Sequence, residues 1–166
     1  NSFSFAPDTR YTVMTPQMLY EQAKIDELYF LSTGGGVTFG GGEPLLYPLE
    51  PLTTKLKEQG LQIFLETSGS HPFSGTFDWV CLSPKRKQPP LEEAFGRADE
   101  LKVIIENEED FEWAEANAAK VGSSCLLYLQ PEWSRSGEMM QSIVEYAKAN
   151  PKWSISIQSH KFMHIP

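Results

Sequence analysis

Short apolar runs alternate along the chain with segments in which apolar residues recur at helical spacing. The apolar runs are rich in Val, Ile, Leu and aromatic residues, which is typical of buried strands. They predict strands at residues 37–39, 61–66, 79–82, 100–105, 125–129 and 153–157. The helical spacing, with proline near some starts and glycine at several ends, predicts helices at residues 15–31, 48–60, 110–121 and 137–149.

The alternation of strands and helices decides the fold class. Successive predicted strands lie roughly 20 to 30 residues apart, as expected for βα units that build a mostly parallel sheet. We therefore predict an α/β fold with a sheet of about six strands and helices outside it. Because six strands are too few for a closed eight-stranded barrel, we expect an incomplete TIM-type barrel. Residues 1–166 are predicted to form a single domain.

Composition and charge exclude several classes of function. Apolar residues make up 40% of the 166 residues, which is enough for a folded core. The net charge of −8 argues against nucleic-acid binding, which needs a cationic face. No apolar stretch approaches the roughly 20 residues of a membrane span, and the polar first residues do not resemble a signal peptide. Cys81 and Cys125 lie in apolar runs, so we expect buried thiols and a cytoplasmic protein.

Small and polar residues follow five of the predicted strands. In α/β sheets, ligands bind at the carboxyl ends of the strands. The five segments are Gly40–Gly41–Gly42–Glu43–Pro44, Glu66–Thr67–Ser68–Gly69, Ser83–Pro84–Lys85, Gln130–Pro131–Glu132–Trp133 and Gln158–Ser159–His160–Lys161. Their regular placement predicts a binding site at this edge of the sheet.

The segment from Gly40 to Glu43 has two interpretations. Successive glycines let the backbone approach a ligand and expose N–H groups, and Glu43 would then offer its carboxylate to an ammonium group. In the alternative, the glycines form a tight turn and Glu43 caps the helix that follows. The segment lacks the Gly-Lys-Ser/Thr of a P-loop and the spacing of the dinucleotide-binding fingerprint.

Basic and histidine side chains give weaker indications. Lys85 lies beside Arg86 and Lys87, so a basic surface loop is the alternative to a binding role. His160 and His164 are four residues apart but are predicted on a strand and a tail, not on one helix face. We therefore expect no metal site within this chain.

The run GGGVTFGGGEPLLYPLEPL, residues 34–52, resembles the radical-SAM superfamily, in which a Gly-Gly-Glu segment receives the amino group of S-adenosylmethionine. Further segments resemble one branch, the 7-carboxy-7-deazaguanine synthase family of queuosine biosynthesis. They are ETSGSH (66–71), DWVCLSPK (78–85), ADELKVII (98–105), LQPEW (129–133) and WSISIQSHKFMHIP (153–166). The resemblance runs from about Met14 to the last residue, and its final segment is the most specific to the branch.

The resemblance implies a role for particular residues. Thr67 would contact a pterin substrate, and Pro166 would present its terminal carboxylate to that substrate. A carboxylate suits the amino-pyrimidinone edge of a pterin because it accepts charge-assisted hydrogen bonds. The S-adenosylmethionine site would be lined by Gly41, Gly42, Glu43, Gly69, Ser83, Pro84, Lys85, Gln130, Pro131, Glu132 and Trp133.

The resemblance also implies a reaction and its cofactors. A radical generated from S-adenosylmethionine takes a hydrogen atom from 6-carboxy-5,6,7,8-tetrahydropterin, the ring contracts with the help of Mg²⁺, and ammonia leaves. S-Adenosylmethionine, a 4Fe–4S cluster and Mg²⁺ are therefore the implied cofactors. The implied partners are the pterin, an electron donor such as a flavodoxin and a second copy in a homodimer, with neither nucleic acid nor membrane.

The chain departs from the family in its cysteines. Members hold the cluster with three closely spaced cysteines followed by a magnesium-binding threonine, whereas Cys81 and Cys125 lie far apart. We expect a chain truncated before its first helix and inactive by itself. A degenerate, non-catalytic binding protein is one alternative. A glycyl-radical activating enzyme is another, which would share the glycine-rich run but not Ser83–Lys85 or the carboxyl-terminal tail.

Overall fold

The computed structural model describes residues 36–40 and 42–162, together with residues 15, 17, 18 and 21. Most of the helix predicted at 15–31 therefore lies outside the described residues, as do Gly41 and Pro166. The backbone N–H of Met18 donates to Thr15 Oγ1 at 3.2 Å, as expected of a helix N-terminal cap.

Six strands form one sheet within the described residues. Every neighbouring pair is parallel, and the strands lie side by side in chain order. The strands are β1 (Gly36–Phe39), β2 (Gln62–Thr67), β3 (Trp79–Leu82), β4 (Glu100–Ile105), β5 (Leu126–Pro131) and β6 (Trp153–Ile155). Since β1 and β6 are the two edges, the sheet is open. The predicted α/β fold with an incomplete barrel is confirmed.

Helices connect the strands and pack on one face of the sheet. Consecutive, adjacent parallel strands with right-handed crossovers place every connecting helix on the same side. The helices are α1 (Glu50–Glu58), α2 (Glu92–Arg97), α3 (Asp110–Ala118), α4 (Ser136–Ala149) and α5 (Ser159–Phe162), and 3₁₀ turns span Pro44–Leu46 and Trp133–Arg135. None of the helices in the described part of the chain has the length and apolar character needed to cross a membrane.

The core lies between the sheet and the helices. On β4, Leu101, Val103 and Ile105 are fully buried, while the residues between them are only half-buried. This alternation follows from the two-residue period of a strand, which sends successive side chains to opposite faces. Ile63, Leu65, Leu82 and Leu129 continue the buried rows on the neighbouring strands.

The opposite face of the sheet, here called the inner face, carries polar and aromatic side chains. In register across it lie Glu66, Cys81 and Glu100, followed one layer further by Lys102 and Tyr128. This is the face that points into a barrel when such a sheet curls. Side chains on the inner face near the carboxyl ends of β1–β5 are therefore placed to reach a ligand at that edge.

Two predicted boundaries near the C-terminus are wrong. The last strand ends at Ile155 and not at residue 157, because Ser156 is the last residue to bond β5, through Leu129 O at 2.9 Å. His160 lies in helix α5 and not on a strand. Helix α2 was not predicted, since its six residues are too few to show a helical period.

Candidate functional site

The predicted site residues that the structure describes lie at, or just after, the carboxyl ends of β1, β2, β3 and β5. Parallel strands bring these ends to one edge of the sheet. Backbone hydrogen bonds connect the ends of neighbouring strands. Ser83 N, after β3, donates to Thr67 O of β2 at 2.8 Å, and Glu132 N, after β5, donates to Ile105 O of β4 at 2.9 Å. The structure thus gathers segments that are up to about 90 residues apart in sequence along a single edge.

Glu43 connects the loop after β1 to the end of β2. Its carboxylate accepts hydrogen bonds from Leu45 N at 3.1 Å, Thr67 Oγ1 at 2.5 Å and Ser68 N at 2.8 Å, and from the Ser68 hydroxyl. Burial alone would raise the pKa of Glu43, but these donors outweigh it and lower the pKa. Glu43 is thus an ionised carboxylate that holds the loop after β1 to the end of β2 by hydrogen bonds. It also caps the 3₁₀ turn Pro44–Leu46, as the capping interpretation predicts.

The turn after β2 is built around a glycine that tolerates no side chain. Gly69 has φ +70°, and a Cβ atom there would lie 2.6 Å from Leu82 Cδ1 and 2.8 Å from Ala94 Cβ. Its N–H donates to Thr67 Oγ1 at 2.9 Å. Thr67 is only 3% exposed. Its hydroxyl donates a hydrogen bond to Glu43 and accepts one from the N–H of Gly69.

The loop after β3 is fixed by an ion pair that sequence analysis missed. Arg86 donates to Asp110 Oδ1 at 2.7 Å and lies 5.1 Å from the centroid of the Trp113 ring. Asp110 also accepts from the N–H groups of Glu106 and Asn107. Arg86 therefore anchors the loop to the start of α3, and the basic run is more than a solvated surface.

Lys85 lies on that anchored loop with a hydroxyl as its neighbour. Its Nζ lies 3.2 Å from Ser83 Oγ. Although much of the side chain is exposed, partial burial of the ammonium and the nearby Lys102 ammonium lower the pKa of Lys85. No carboxylate among the described residues forms an ion pair with it. The group is therefore available to an anionic part of a ligand.

The end of β5 and the loop after it hold the remaining predicted residues. Gln130 is 7% exposed, and its Oε1 accepts from Ser156 Oγ at 3.2 Å. Trp133 is 37% exposed, and Lys161 Nζ lies 5.1 Å from the centroid of its ring. This cation–π contact brings α5 to the β5 loop.

Two features beside the edge were not assigned a role from sequence. Ser68 Oγ lies 2.9 Å from Ser70 Oγ, which lies 3.0 Å from His71 Nδ1, so hydrogen bonds lead from Glu43 to His71. On the inner face, Lys102 Nζ lies 3.2 Å from Glu66 Oε1. Glu66 and Ser68 belong to the polar segment 66–69 that the sequence places at a strand end. Lys102, the partner of Glu66, lies 36 residues further along the chain, and no nearby sequence pattern indicates the pair.

The cysteines are buried thiols, as predicted. Burial raises the pKa of Cys81 to about 12 and the pKa of Cys125 to about 11. Cys81 Sγ donates to Glu100 Oε1 at 3.4 Å. Within the described residues no group of three or more His, Cys, Asp and Glu side chains is placed to hold a metal ion.

A cavity of about 280 Å³ lies at the other, amino-terminal edge of the sheet. It is lined by Phe73, Gly75, Thr76, Phe77, Val80, Arg97 and Asp99. It contains none of the predicted site residues, so the carboxyl edge and this cavity are separate places at which binding can be tested.

Comparison with known proteins shows which proteins this chain is related to. A 7-carboxy-7-deazaguanine synthase from Flavobacterium psychrophilum is 51% identical over 126 residues, which are 76% of this chain and 60% of that protein. The chain is homologous to 7-carboxy-7-deazaguanine synthases. The synthase of the same name from a Synechocystis species is 45% identical over 129 residues, 78% of this chain and 62% of that protein.

A solved structure supports the fold assignment. The crystal structure of QueE from Escherichia coli matches 87% of this chain and 64% of that chain, with a TM-score of 0.70 and 28% identity. No protein-family model matches the chain. The chain spans about 60% of the length of the 7-carboxy-7-deazaguanine synthases named above.

Proposed function

We propose that the chain is the S-adenosylmethionine-binding part of a radical-SAM lyase that makes 7-carboxy-7-deazaguanine from 6-carboxy-5,6,7,8-tetrahydropterin. The observation that carries the proposal is 51% identity to a 7-carboxy-7-deazaguanine synthase. The conversion releases ammonia and is redox-neutral overall, which fits a lyase.

The residues at the carboxyl edge fit S-adenosylmethionine in their chemistry. The ligand carries an ammonium, a carboxylate, ribose hydroxyls and an adenine ring. The edge offers carboxylates, the Lys85 ammonium, hydroxyl and amide groups, and the half-exposed Trp133 ring. We propose that the ligand is held by Gly41, Gly42, Glu43, Gly69, Ser83, Pro84, Lys85, Gln130, Pro131, Glu132 and Trp133.

The side chains of this chain would orient the bound ligand and exclude water. Glu43 fastens the glycine-rich loop to β2, and Arg86 fastens the Lys85 loop to α3, so two walls of the site are set before binding. When bound, S-adenosylmethionine supplies the one-electron chemistry, and the protein supplies position and electrostatics.

The pterin would lie beside Thr67 and Pro166. A contact at Thr67 would share a hydroxyl that already serves Glu43 and Gly69. The substrate would then bind against a side chain whose rotamer is fixed by two hydrogen bonds. The position of the substrate would therefore depend on the hydrogen bond between Thr67 and Glu43.

The cysteines of this chain do not fit a 4Fe–4S cluster. Cys81 and Cys125 are the only two, they are buried, and their raised pKa values keep them protonated at neutral pH. We infer that the 166 residues alone do not turn over substrate. Mg²⁺, an electron donor such as a flavodoxin, a cytoplasmic location and a homodimer complete the proposal.

The test is an assay of the full-length gene product. The protein is reconstituted with iron and sulfide and is given reductant, Mg²⁺, S-adenosylmethionine and 6-carboxy-5,6,7,8-tetrahydropterin. Mass spectrometry is expected to detect 7-carboxy-7-deazaguanine. Formation of 5′-deoxyadenosine without this product would contradict the substrate, and failure to assemble a cluster would favour a non-catalytic binding protein.

A further inference from the structure

Two serine hydroxyls connect the ring of His71 to the carboxylate of Glu43. The Ser68 hydroxyl bonds Glu43 Oε2, and Ser70 Oγ lies 2.9 Å from Ser68 Oγ. His71 Nδ1 lies 3.0 Å from Ser70 Oγ. We call Ser68 and Ser70 the hydroxyl relay. Each hydroxyl has a single hydrogen to donate, and each nitrogen of a neutral imidazole either donates or accepts. The direction of every bond in the relay therefore follows once one end is fixed.

The fixed end is the carboxylate of Glu43. One backbone N–H group reaches each of its oxygens, from Leu45 at 3.1 Å and from Ser68 at 2.8 Å. Burial alone would raise the pKa of Glu43, but the hydrogen bonds from Ser68, Thr67 and Leu45 lower it. The group is thus ionised, and an ionised carboxylate only accepts hydrogen bonds. The hydrogen of the Ser68 hydroxyl must point to Glu43.

The other two directions follow from this first bond. Because the hydrogen of Ser68 is used on Glu43, Ser68 Oγ accepts the hydrogen of Ser70. The separation of 2.9 Å is that of a hydrogen bond between hydroxyls, and two oxygens so close with no hydrogen between them would repel each other. Ser70 then has no hydrogen left for the ring, so His71 Nδ1 is the donor. This nitrogen carries a hydrogen whether the imidazole is neutral or protonated.

We propose that His71 is a positioning residue for Glu43. His71 donates from Nδ1 to Ser70, which keeps the Ser70 hydrogen directed at Ser68 and the Ser68 hydrogen directed at the carboxylate. Hydrogen bonds that run in one direction along such a network polarise and strengthen one another. Resting on the proposed function, Glu43 is one of the residues that hold S-adenosylmethionine, so the relay fixes a carboxylate at the ligand before the ligand binds.

The surroundings of His71 are compatible with this tautomer. The residue is half-buried, and its Nε2 has no hydrogen-bond partner among the described residues. In a neutral ring with hydrogen on Nδ1, Nε2 is an acceptor that water can reach. No buried side-chain nitrogen or oxygen of the described residues is left without a partner by the arrangement.

Nitrogen-15 NMR of the histidine side chains in the full-length protein reads the tautomer. Spectra are recorded at about pH 8.5, where an ordinary imidazole is neutral, and the His71 signals are identified by their absence in His71→Phe. We expect the hydrogen on Nδ1 and none on Nε2. A neutral ring with its hydrogen on Nε2 overturns the proposal, whether or not the protein binds S-adenosylmethionine.

Ser68→Ala tests whether the carboxylate dictates this tautomer through the relay. Without the Ser68 hydroxyl, Ser70 is free to donate to Nδ1, so the form with hydrogen on Nε2 is expected to become the major one. Ser74→Ala is the matched control, because Ser74 lies in the same loop and its hydroxyl accepts from Leu49 N at 3.1 Å, away from Glu43. The control keeps the hydrogen on Nδ1. An unchanged tautomer in Ser68→Ala overturns the proposal.

Calorimetric binding of S-adenosylmethionine to the reconstituted full-length protein measures the effect on Glu43. His71→Phe and Ser70→Ala are each expected to weaken binding roughly threefold to tenfold. The double variant is expected to lose no more than either single variant, because both changes interrupt the same relay. His71→Asn, whose amide can donate from about the position of Nδ1, is expected to bind within about twofold of the wild type.

The outcomes separate the proposal from the proposed function. Circular dichroism confirms that each variant is folded. Losses of affinity that add in the double variant, or an affinity of His71→Phe equal to that of the wild type, overturn the positioning role. A wild type that does not bind S-adenosylmethionine overturns the proposed function instead, and the tautomer of His71 in the wild type and in Ser68→Ala then decides whether His71 directs the bonds to Glu43.

Discussion

The hydroxyl of Thr67 donates a 2.5 Å hydrogen bond to the carboxylate of Glu43, 24 residues earlier in the chain. The bond joins the end of β2 to the loop after β1, and Ser68 strengthens the junction through its N–H at 2.8 Å. The carboxyl edge of the sheet is thereby pre-organised by hydrogen bonds between the end of β2 and the loop after β1. Most of the chemistry proposed for the site depends on this junction.

Removing the charge at Glu43 is expected to destabilise the fold. In Glu43→Gln, a neutral amide replaces an acceptor of four donors, and its NH₂ group faces donors that it cannot bond. We expect the free energy of unfolding to fall by about 1–3 kcal/mol. Urea unfolding measures the change, and Glu58→Gln on the exposed side of α1 is the control with an effect within about 0.5 kcal/mol. Equal stabilities of the two variants would contradict a stabilising role for the hydrogen bonds to Glu43.

A methyl group at Gly69 is expected to be more damaging than one at Gly122. At Gly69 the Cβ atom would overlap Leu82 and Ala94 and the backbone would be strained at φ +70°, whereas a Cβ at Gly122 meets nothing within 4 Å. Overpacking and left-handed strain together predict a loss of about 2–4 kcal/mol for Gly69→Ala. Thermal and urea unfolding of the two variants test this, and a loss under about 1 kcal/mol at Gly69 would contradict the packing of the turn.

The ion pair of Arg86 and Asp110 is expected to make stability depend on acid pH. Burial alone would raise the pKa of Asp110, but the Arg86 guanidinium and two backbone N–H groups lower it below the value of an unfolded chain. The stabilisation is therefore complete above the unfolded pKa, about 3.9, and is lost as the pH falls through the folded pKa.

Asp110→Asn isolates this contribution. We expect the variant to be about 1–3 kcal/mol less stable than the wild type at pH 7, with the difference shrinking below about pH 4. Urea unfolding at several pH values gives the comparison, and Glu109→Gln, at an exposed position next to Asp110, is the control. A difference that is the same at pH 3 and pH 7 would show that the charge of Asp110 is not responsible.

The two thiols are expected to resist alkylation in the folded protein. Their raised pKa values, about 12 for Cys81 and about 11 for Cys125, leave few thiolates at pH 8, and both residues are buried. Iodoacetamide labelling followed by peptide mass spectrometry should be at least about tenfold slower at both positions than in urea-unfolded protein. Rapid labelling of Cys81 without urea would mean that the inner face is open down to β3.

Lys85 and Lys87 provide a matched pair for ligand binding. Both are exposed residues of the loop after β3, but only Lys85 lies with its ammonium near Ser83 and Lys102. Lys85→Met is expected to weaken S-adenosylmethionine binding to the full-length protein roughly tenfold, because an ion pair with the ligand carboxylate is lost. Lys87→Met should bind S-adenosylmethionine as the wild type does. An equal loss of affinity in both variants would show that the effect comes from net charge and not from a contact of Lys85.

The sequence predicts the sheet well because its strands are marked by runs of β-branched and aliphatic residues. All six predicted strands lie within two residues of the observed bounds at both ends, and the largest differences are at the ends of the last two strands, which lie at Pro131 and Ile155 instead of residues 129 and 157. Helix α2 and helix α5 were missed because four to six residues give too short a window for a helical period. The edge at which the polar segments meet follows from topology alone, since all the strands are parallel.

The contacts within the site were beyond sequence reasoning. Nothing near Glu66 indicates that Lys102 reaches it across a strand, and nothing near Arg86 indicates that Asp110 is buried at the start of α3. Such pairs depend on the register between strands and on the path of loops. Both are fixed only when the core packs.

Hydrogen–deuterium exchange of the full-length protein with and without S-adenosylmethionine tests most directly where the ligand binds. We predict increased protection in peptides that cover residues 40–45, 67–70, 83–86 and 130–133, and unchanged exchange in peptides that cover residues 73–77 and 97–99. Protection confined to the cavity at residues 73–77 and 97–99, with none at the carboxyl edge, would contradict the site proposed for this chain.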